Sequence, residues 1–457
     1  MTRLVASQGF DMYRTFSTVE GLDFSDSVIL LRVDELLFRY TGTFTYDDEG
    51  FPSGPVTRLT IFEEGFDPIV TMSLFEVDFA TLNDAGIGNL FELWEQILPG
   101  DDKLLGSREN DLLDGWPGDD VIEGNAGDDD LLGWSGNDLV LGGPGDDRLL
   151  GYDYFRDERP STMADADTLR GGDGDDLLFG RYDDDLIDGG PGYDRAGYCG
   201  DRSGYAVTLT DFGEATIRHR VAEQCGTDRL INVEEIDFLS FDAGDIVTDR
   251  QPLHVLYGAT DASEAQMTTL VEMYIAYFDR APDATGLYYW AARLTQGMTL
   301  EEIAASFFVQ PESRTLFPDP GDDAALVDAV YANLLERAPD AAGRAYWIDA
   351  LRQGDVSRPE FMLAVINGAR ADTGDPADAR VVADKGKIGL YYAPVNGLTD
   401  VDNAADAMAA YARAAPVASL DAARALIDGY AAAADDPAGA MEFTVALAGV
   451  VADPFAA

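Results

Sequence analysis

Apolar and polar residues alternate along much of the first hundred positions, as they do in half-buried β-strands. The alternating stretches are separated by turn-forming residues and cover residues 26–46, 54–65 and 68–79. They predict an N-terminal, mainly β domain over residues 1–96 with antiparallel strands. A short helical pattern at residues 88–98 predicts a cap over the next domain, with Phe91 and Trp94 as scaffold.

Between residues 97 and 197 the apolar pattern has a period of nine residues. One apolar side chain occupies the eighth position of each unit, in the order Leu104, Leu113, Ile122, Leu131, Val140, Leu149, Leu169, Leu178, Ile187 and Ala196. This arrangement suits a thin stacked core, so the last three residues of each unit are predicted to form short strands. Two units make one coil, which predicts a parallel β-roll.

Residues 198–250 return to a strand pattern, for example at Tyr205 and Val207, and are predicted to close the roll. The two cysteines of the chain, Cys199 and Cys225, bracket this segment. A disulfide between them and two separate thiols are evenly weighted alternatives. Their spacing matches no metal-binding or redox motif.

From about residue 264 the spacing of apolar residues becomes helical. VEMYIAYFDRAPDATGLYYW aligns with VDAVYANLLERAPDAAGRAYW, and Arg280 matches Arg337 at an offset of 57 residues. The repeat predicts a duplicated helical hairpin within residues 264–395, with a proline in the first turn of each second helix.

The last part of the chain, residues 396–457, is rich in alanine and predicts a tail of short helices broken at Pro416 and Pro437. The patterns together predict a multidomain chain. It has a mainly β N-terminal domain, a parallel β-roll that forms a calcium solenoid, and a mainly α C-terminal domain.

The calcium prediction rests on aspartates at the sixth position of the nine-residue units. They are Asp102, Asp111, Asp120, Asp129, Asp138, Asp147, Asp167, Asp176, Asp185 and Asp194. Coiling stacks them about 4.8 Å apart, where carboxylates repel unless a cation lies between them. Hard oxygen ligands select Ca²⁺. Fourth-position glycines permit positive φ and leave carbonyls open for coordination, which adds Gly118, Gly127, Gly136, Gly145 and Gly174 to the predicted sites.

Some units depart from the pattern G-G-x-G-x-D-x-U-x. Glu109, Asp165 and Asp183 replace the fourth-position glycine, and an eleven-residue insert, Gly151 to Ser161, interrupts the series. Sites that touch these units are expected to be weaker or absent. Pairing each unit with the second one along gives at most about eight calcium sites.

Calcium binding is expected to supply much of the folding free energy of this segment, so the roll should be expanded or unfolded at low calcium. A disordered acidic tail is the alternative, because residues 98–200 contain 27 acidic and 8 basic residues. Random acidic tails do not keep an apolar residue in register. We therefore favour the roll.

The composition of the chain limits the classes of partner that it can bind. The chain has 85 acidic and 31 basic residues and a formal net charge of −54, which excludes nucleic acid and anionic membranes as partners. The first residues, MTRLVASQGFDMYRT, lack the apolar core of a signal peptide. The longest late apolar run, residues 443–452, is too short for a transmembrane segment.

The units GWPGDDVIE, GGPGDDRLL and GGDGDDLLF resemble the repeats of the RTX (repeats-in-toxin) family of Gram-negative bacteria. GTDRLINVEEIDF resembles the segment that often closes RTX rolls. The resemblance implies export by the type I secretion machinery with an uncleaved C-terminal signal, and hence an extracellular location. AMEFTVALAGVVADPFAA is the candidate signal. Low calcium would keep the roll loose for export, and calcium outside the cell would fold it.

The signature R-A-P-D-x-x-G-x-x-Y-W resembles a domain of unknown function that is often appended to RTX and other surface proteins, and it implies no chemistry. Arg280 with Asp283, and Arg337 with Asp340, form either a ligand clamp or a helix start, and we favour the helix start. The aromatic residues that end the two signatures are expected to be mostly core: Tyr289, Trp290, Tyr346 and Trp347.

Recognisable catalytic motifs are absent from the sequence. His219 and His254 are the only histidines, and neither lies in H-E-x-x-H. There is no G-x-S-x-G elbow, although catalysis by carboxylates alone stays open. The expected function is therefore a secreted calcium-binding protein with an adhesive or surface-associated role and a cell-surface or carbohydrate partner. A secreted hydrolase that uses the roll for secretion and folding is the alternative.

Overall fold

The computed structural model divides into two compact units. The roll unit comprises Met1–Asp201 and Ala222–Gln251, and the helical unit comprises Arg202–Val221 and Pro252–Ala457. Residues 198–250, which the sequence groups as one flanking segment, are thus shared between the units. The structure describes residues 100–151, 166–220, 226–242, 245–319, 321–372, 374–437 and 441–456, and the strands between residues 3 and 78; for these early strands and for residues 241–242 and 245–247 it describes only the backbone.

Short strands make up most of the roll unit. Before the roll lie β1 (Arg3–Ala6), β2 (Val19–Phe24), β3 (Val28–Val33), β4 (Leu36–Gly42), β5 (Thr45–Tyr46), β6 (Pro52–Ser53), β7 (Pro55–Glu63) and β8 (Pro68–Asp78). The roll contains β9 (Lys103–Leu105), β10 (Leu112–Asp114), β11 (Val121–Glu123), β12 (Asp130–Leu132), β13 (Leu139–Pro144), β14 (Arg148–Leu150), β15 (Thr168–Asp173), β16 (Leu177–Phe179), β17 (Leu186–Asp188) and β18 (Arg195–Cys199).

The remaining strands are distributed between the two units. The helical unit contains β19 (Tyr205–Asp211), β20 (Glu214–His219) and, near the end of the chain, a strand described below. The roll unit is completed by β21 (Thr227–Ile231), β22 (Glu235–Asp242) and β23 (Asp245–Pro252). Cys225 lies outside the described residues, so the state of the two cysteines stays open.

Successive strands of the roll alternate between two parallel sheets. The first has the order β9-β11-β13-β15-β17-β21, and the second has the order β10-β12-β14-β16-β18-β22-β23. The registers place Ile122 opposite Val140 in the first sheet and Leu131 opposite Leu149 in the second. All ten predicted eighth-position residues are 0 % exposed. The predicted β-roll is confirmed, and so is its thin core of one apolar side chain per unit.

The insert leaves this stacking intact, but its first residue was assigned incorrectly. Gly151 takes the place of a first-position glycine, because its N–H donates to the carbonyl of Phe179 at 2.8 Å, just as Gly133 donates to Leu150. Gly151 therefore belongs to the coil and not to the insert. Residues 152–165, which contain the rest of the insert and Asp165, lie outside the described residues.

The N-terminal strands are antiparallel, as predicted, in the order β2-β3-β4-β7-β8-β1. β1 also pairs in parallel with β9, the first strand of the roll, and places Leu4 opposite Leu104. A strand of the N-terminal domain therefore covers this edge of the first coil. The predicted helical cap at residues 88–98 lies outside the described residues.

The helical unit has ten α-helices in its described part. They are α1 (Glu264–Phe278), α2 (Ala284–Thr295), α3 (Leu300–Phe308), α4 (Pro311–Leu316), α5 (Asp323–Leu335), α6 (Ala341–Gln353), α7 (Arg358–Arg370), α8 (Pro376–Leu390), α9 (Val401–Ala409) and α10 (Pro416–Ala434). None of the helices in the described part of the chain is long and apolar enough to cross a membrane.

The two R-A-P-D signatures occupy equivalent turns, between α1 and α2 and between α5 and α6. Arg280 donates through Nε to Glu312 at 2.7 Å, and Arg337 donates through Nε to Asp378 at 2.8 Å. The aspartate of each signature caps the following helix through its side chain, namely Asp283 for α2 and Asp340 for α6. These contacts favour the helix-start interpretation over a ligand clamp.

The aromatic residues of the signatures are less buried than expected. Trp290 packs edge-on against Phe307 and Trp347 packs edge-on against Phe361, each with ring centroids 5.2 Å apart. Both tryptophans are half-buried, whereas Tyr346 is 64 % exposed. The core prediction is therefore wrong for Tyr346, because this residue lies on the exposed face of α6.

The C-terminal segment contains a long helix and a β-strand instead of the predicted series of short helices. Pro416 begins the 19-residue helix α10 instead of breaking a helix, because proline is tolerated in a first turn. β24 (Thr444–Leu447) pairs in parallel with β19 and buries Val445 completely. Arg220 donates through Nη2 to the hydroxyl of Thr444 at 2.7 Å. The candidate secretion segment is thus packed within the helical unit.

Candidate metal centre

The aspartates of the roll form two ladders, one along each edge. The backbone N–H of each aspartate donates to Oδ1 of the aspartate one coil further on, at 2.7 to 2.9 Å. The first edge carries Asp102, Asp120, Asp138, Asp167 and Asp185. The second edge carries Asp111, Asp129, Asp147, Asp176 and Asp194. The structure confirms the predicted stacking of these aspartates.

The second carboxylate oxygen points to the function of the ladders. Oδ2 is buried without a hydrogen-bond partner in the described structure at Asp120, Asp129, Asp147, Asp176 and Asp194. An isolated buried carboxylate costs several kcal/mol unless it is protonated or paired with a cation. These oxygens therefore provide positions for positive charge.

A carbonyl oxygen of the next coil lies beside each of these carboxylates. A Cβ added to Gly124 would lie 2.3 Å from Asp129 Oδ2 and 2.8 Å from the carbonyl oxygen of Gly142. Eight glycines in the described part of the roll have such a pair: Gly106, Gly115, Gly124, Gly133, Gly142, Gly151, Gly171 and Gly189. Carboxylate and carbonyl oxygens are the ligands that Ca²⁺ prefers.

Backbone carbonyls stand beside the carboxylates as the second kind of oxygen on these edges. No group of three or more histidine, cysteine, aspartate or glutamate side chains is placed to hold a metal ion in the described part of the chain. A calcium ion on either edge would therefore take much of its coordination from the backbone. The residue types fit calcium and not a softer metal, because the ladders offer only hard oxygen donors.

The fourth-position glycines allow the coils to stack closely. Gly118, Gly127, Gly136, Gly145 and Gly174 all have φ between 116° and 156°. A Cβ on Gly136 would lie 1.9 Å from the carbonyl oxygen of Gly118 in the preceding coil. These glycines place backbone against backbone, and their role as calcium ligands stays a prediction.

Some residues that replace glycine in the repeat adopt positive φ. Asp183, at a fourth position, adopts a left-handed conformation with φ of 62°. At the second position, Trp116 and Trp134 also have positive φ, 68° and 85°, and their rings stack 5.1 Å apart. Bulky residues seldom adopt this conformation, so these turns are more strained than the glycine-rich ones.

Burial and mutual repulsion raise the pKa of the ladder aspartates when no cation is present. Burial, with smaller contributions from the charges of Asp138 and Asp102, raises the pKa of Asp120 to about 9. Burial likewise raises the pKa of Asp129 and Asp194 to about 7. Asp120 therefore binds a proton at neutral pH when no cation is present, and a calcium ion at this carboxylate must displace it.

The ladders continue past the last nonapeptide, and sequence analysis missed this. Asp185 N–H donates to Asp228 Oδ1 at 3.0 Å, and Asp194 N–H donates to Glu234 Oε2 at 2.8 Å. The carbonyl of Asn232 faces Asp194 in the way that a first-position glycine carbonyl does elsewhere. The missed signal was GTDRL, where Gly226, Asp228 and Leu230 keep the fourth, sixth and eighth positions.

Comparison with family models agrees with this geometry. The model of the RTX calcium-binding nonapeptide repeat matches residues 98–131, 117–149 and 161–196. The chain carries RTX calcium-binding repeats. RTX repeats bind calcium, so the match supports Ca²⁺ as the ion of this chain. These repeats are also typical of secreted proteins.

The helical unit matches a second family model, that of a domain of unknown function (DUF4214), over residues 256–317 and 319–370. The two matched segments correspond to the two R-A-P-D hairpins that follow the RTX repeats. A comparison with curated proteins finds no relative that matches this chain.

Proposed function

We propose that this protein is secreted, that its RTX roll folds when it binds several calcium ions outside the cell, and that it acts at a cell surface. The observation that supports calcium-dependent folding is the set of buried Oδ2 atoms that have no hydrogen-bond partner in the described structure, on Asp120 of the first edge and on Asp129, Asp147, Asp176 and Asp194 of the second. Cytosolic calcium is low, so the roll would remain loose during export. Extracellular calcium would supply the missing positive charge.

Two further parts of the proposal concern export and activity. We propose the type I secretion machinery as the route, with residues 440–457 as the candidate signal. We also propose no enzymatic activity, because the sequence contains neither H-E-x-x-H nor G-x-S-x-G. The formal net charge of −54 supports a partner that is neither nucleic acid nor an anionic membrane.

Circular dichroism of the full chain tests the folding switch. We expect β-sheet signal to appear when calcium is raised from chelator to millimolar concentration, and magnesium at the same concentration should not replace it, because Mg²⁺ dehydrates reluctantly. The helical signal should change little. An identical spectrum in chelator and in calcium would contradict the proposal.

Retention on cells tests the surface role. We expect the purified protein to stay on cells of a producing strain in millimolar calcium and to be released by a wash with chelator. A washed pellet re-supplied with calcium and protein should recover the retained fraction. Equal retention in chelator and in calcium would mean that attachment to the cell surface does not depend on the calcium-bound roll. Absence of retention in both conditions would contradict the surface role.

A further inference from the structure

The first-edge ladder ends on Asp228, outside the nonapeptide repeats. Its strand, β21, pairs in parallel with β17, and Leu230 is buried opposite Ile187 as an eighth-position residue would be. Gly226 stacks on the previous coil, since a Cβ there would lie 1.8 Å from the carbonyl oxygen of Asp183. Asp228 therefore occupies a sixth position in its strand pairing and in its place on the ladder.

Asp228 differs from the repeat aspartates in what its second oxygen contacts. The hydroxyl of Tyr198 donates to Asp228 Oδ2 at 2.8 Å, while Oδ1 accepts from the N–H of Asp185. Asp228 and Tyr198 are 1 % and 4 % exposed. A buried neutral donor thus reaches the oxygen that a calcium ion would otherwise contact. Tyr198 comes from β18, so this hydrogen bond also joins the two sheets.

The second edge ends in a different way. Asp194 Oδ2 is buried and has no hydrogen-bond partner in the described structure. A Cβ on Gly189 would lie 2.6 Å from this oxygen and 2.3 Å from the carbonyl oxygen of Asn232. The flanking segment therefore completes an oxygen pair on this edge, as the next coil does at Asp129, Asp147 and Asp176.

We propose that the Tyr198–Asp228 hydrogen bond closes the first edge without a metal ion. The tyrosine hydroxyl takes the place of calcium at Asp228, so the column of ions on this edge stops before that residue. On the second edge the column extends to Asp194, with Asn232 as a backbone ligand. This inference rests on the proposed calcium binding, and it assigns the end of the series to a specific pair of side chains.

Calcium stoichiometry of full-length variants, measured by equilibrium dialysis, tests the proposal. Asp228→Asn keeps an oxygen that can accept from Asp185, and we expect it to bind as many ions as the wild type. Asp194→Asn is the matched control at the end of the other edge, and we expect it to bind one ion fewer. Loss of an ion in Asp228→Asn would overturn the proposal, as would an unchanged count in Asp194→Asn.

Tyr198→Phe provides a second variant if Asp228→Asn does not fold. It removes only the hydroxyl and leaves Asp228 intact, so the ion count should equal that of the wild type or exceed it by one. A lower count would overturn the proposal. If the wild type bound no calcium at all, the proposed function itself would be contradicted. That outcome is distinct from a failure of the present inference, in which the wild type binds calcium but the variants have the wrong ion counts.

Discussion

Replacing Gly136 by alanine is expected to destabilise the calcium-bound roll by about 3 kcal/mol or more. The new Cβ would lie 1.9 Å from the carbonyl oxygen of Gly118, and the backbone at Gly136 has φ of 137°, which alanine rarely adopts. The clash can be relieved only if the preceding coil or the turn at Gly136 moves, and either movement would separate the stacked strands. Urea unfolding in saturating calcium, followed by circular dichroism, measures the change.

Gly100→Ala is the matched control for this substitution. Gly100 occupies the same fourth position in the first unit, but a Cβ there would meet no atom of the described residues within 4 Å. Its unfolding midpoint should equal that of the wild type. Equal stability of the Gly136 and Gly100 variants would mean that the coils are not stacked as described.

The calcium requirement is expected to depend strongly on pH. Burial raises the pKa of Asp129 and Asp194 to about 7, that of Asp147 and Asp176 to about 6, and that of Asp120 to about 9. The unfolded chain binds these protons only near pH 4. The calcium-free fold is therefore most stable below about pH 4, and it loses stability as pH rises from about 4 to the folded pKa values of about 6 to 9.

Protons and calcium compete for the same carboxylates. The calcium concentration at which half of the protein is folded should therefore depend on pH. Between pH 8 and pH 6 we expect calcium binding to weaken roughly tenfold or more. The residual β-sheet signal without calcium should be greater at pH 5 than at pH 8. Titrations in metal-free buffers avoid the pH dependence of chelators. Identical midpoints at pH 6 and pH 8 would show that the ladders do not take up protons.

The roll could be predicted from the sequence because its geometry follows directly from the nine-residue period of the repeat. Every nine residues repeat one apolar residue and one aspartate, so a single spacing fixes strand, core and ladder together. Leu131 and Asp129 have the burial and stacking that this spacing predicts. The insert boundary was misplaced because Gly151 lies at the edge of the interruption, where no neighbouring unit defines the frame.

The ends of the ladders could not be predicted in the same way. Asp228 and Glu234 lie 43 and 40 residues from their ladder partners, and a hairpin of the helical unit separates them from the repeats. The fold brings them into register, although GTDRL already keeps the spacing of the repeat around Asp228. The exposure of Tyr346 likewise depends on which face of α6 other elements cover, and a repeat at fixed spacing says nothing about that.

The uninterrupted ladder at the insert has an evolutionary consequence. Asp138 and Asp147 reach partners 29 residues ahead instead of 18, yet both hydrogen bonds remain 2.8 Å long. New sequence can therefore be grafted into a turn of this scaffold at little cost to the coils on either side.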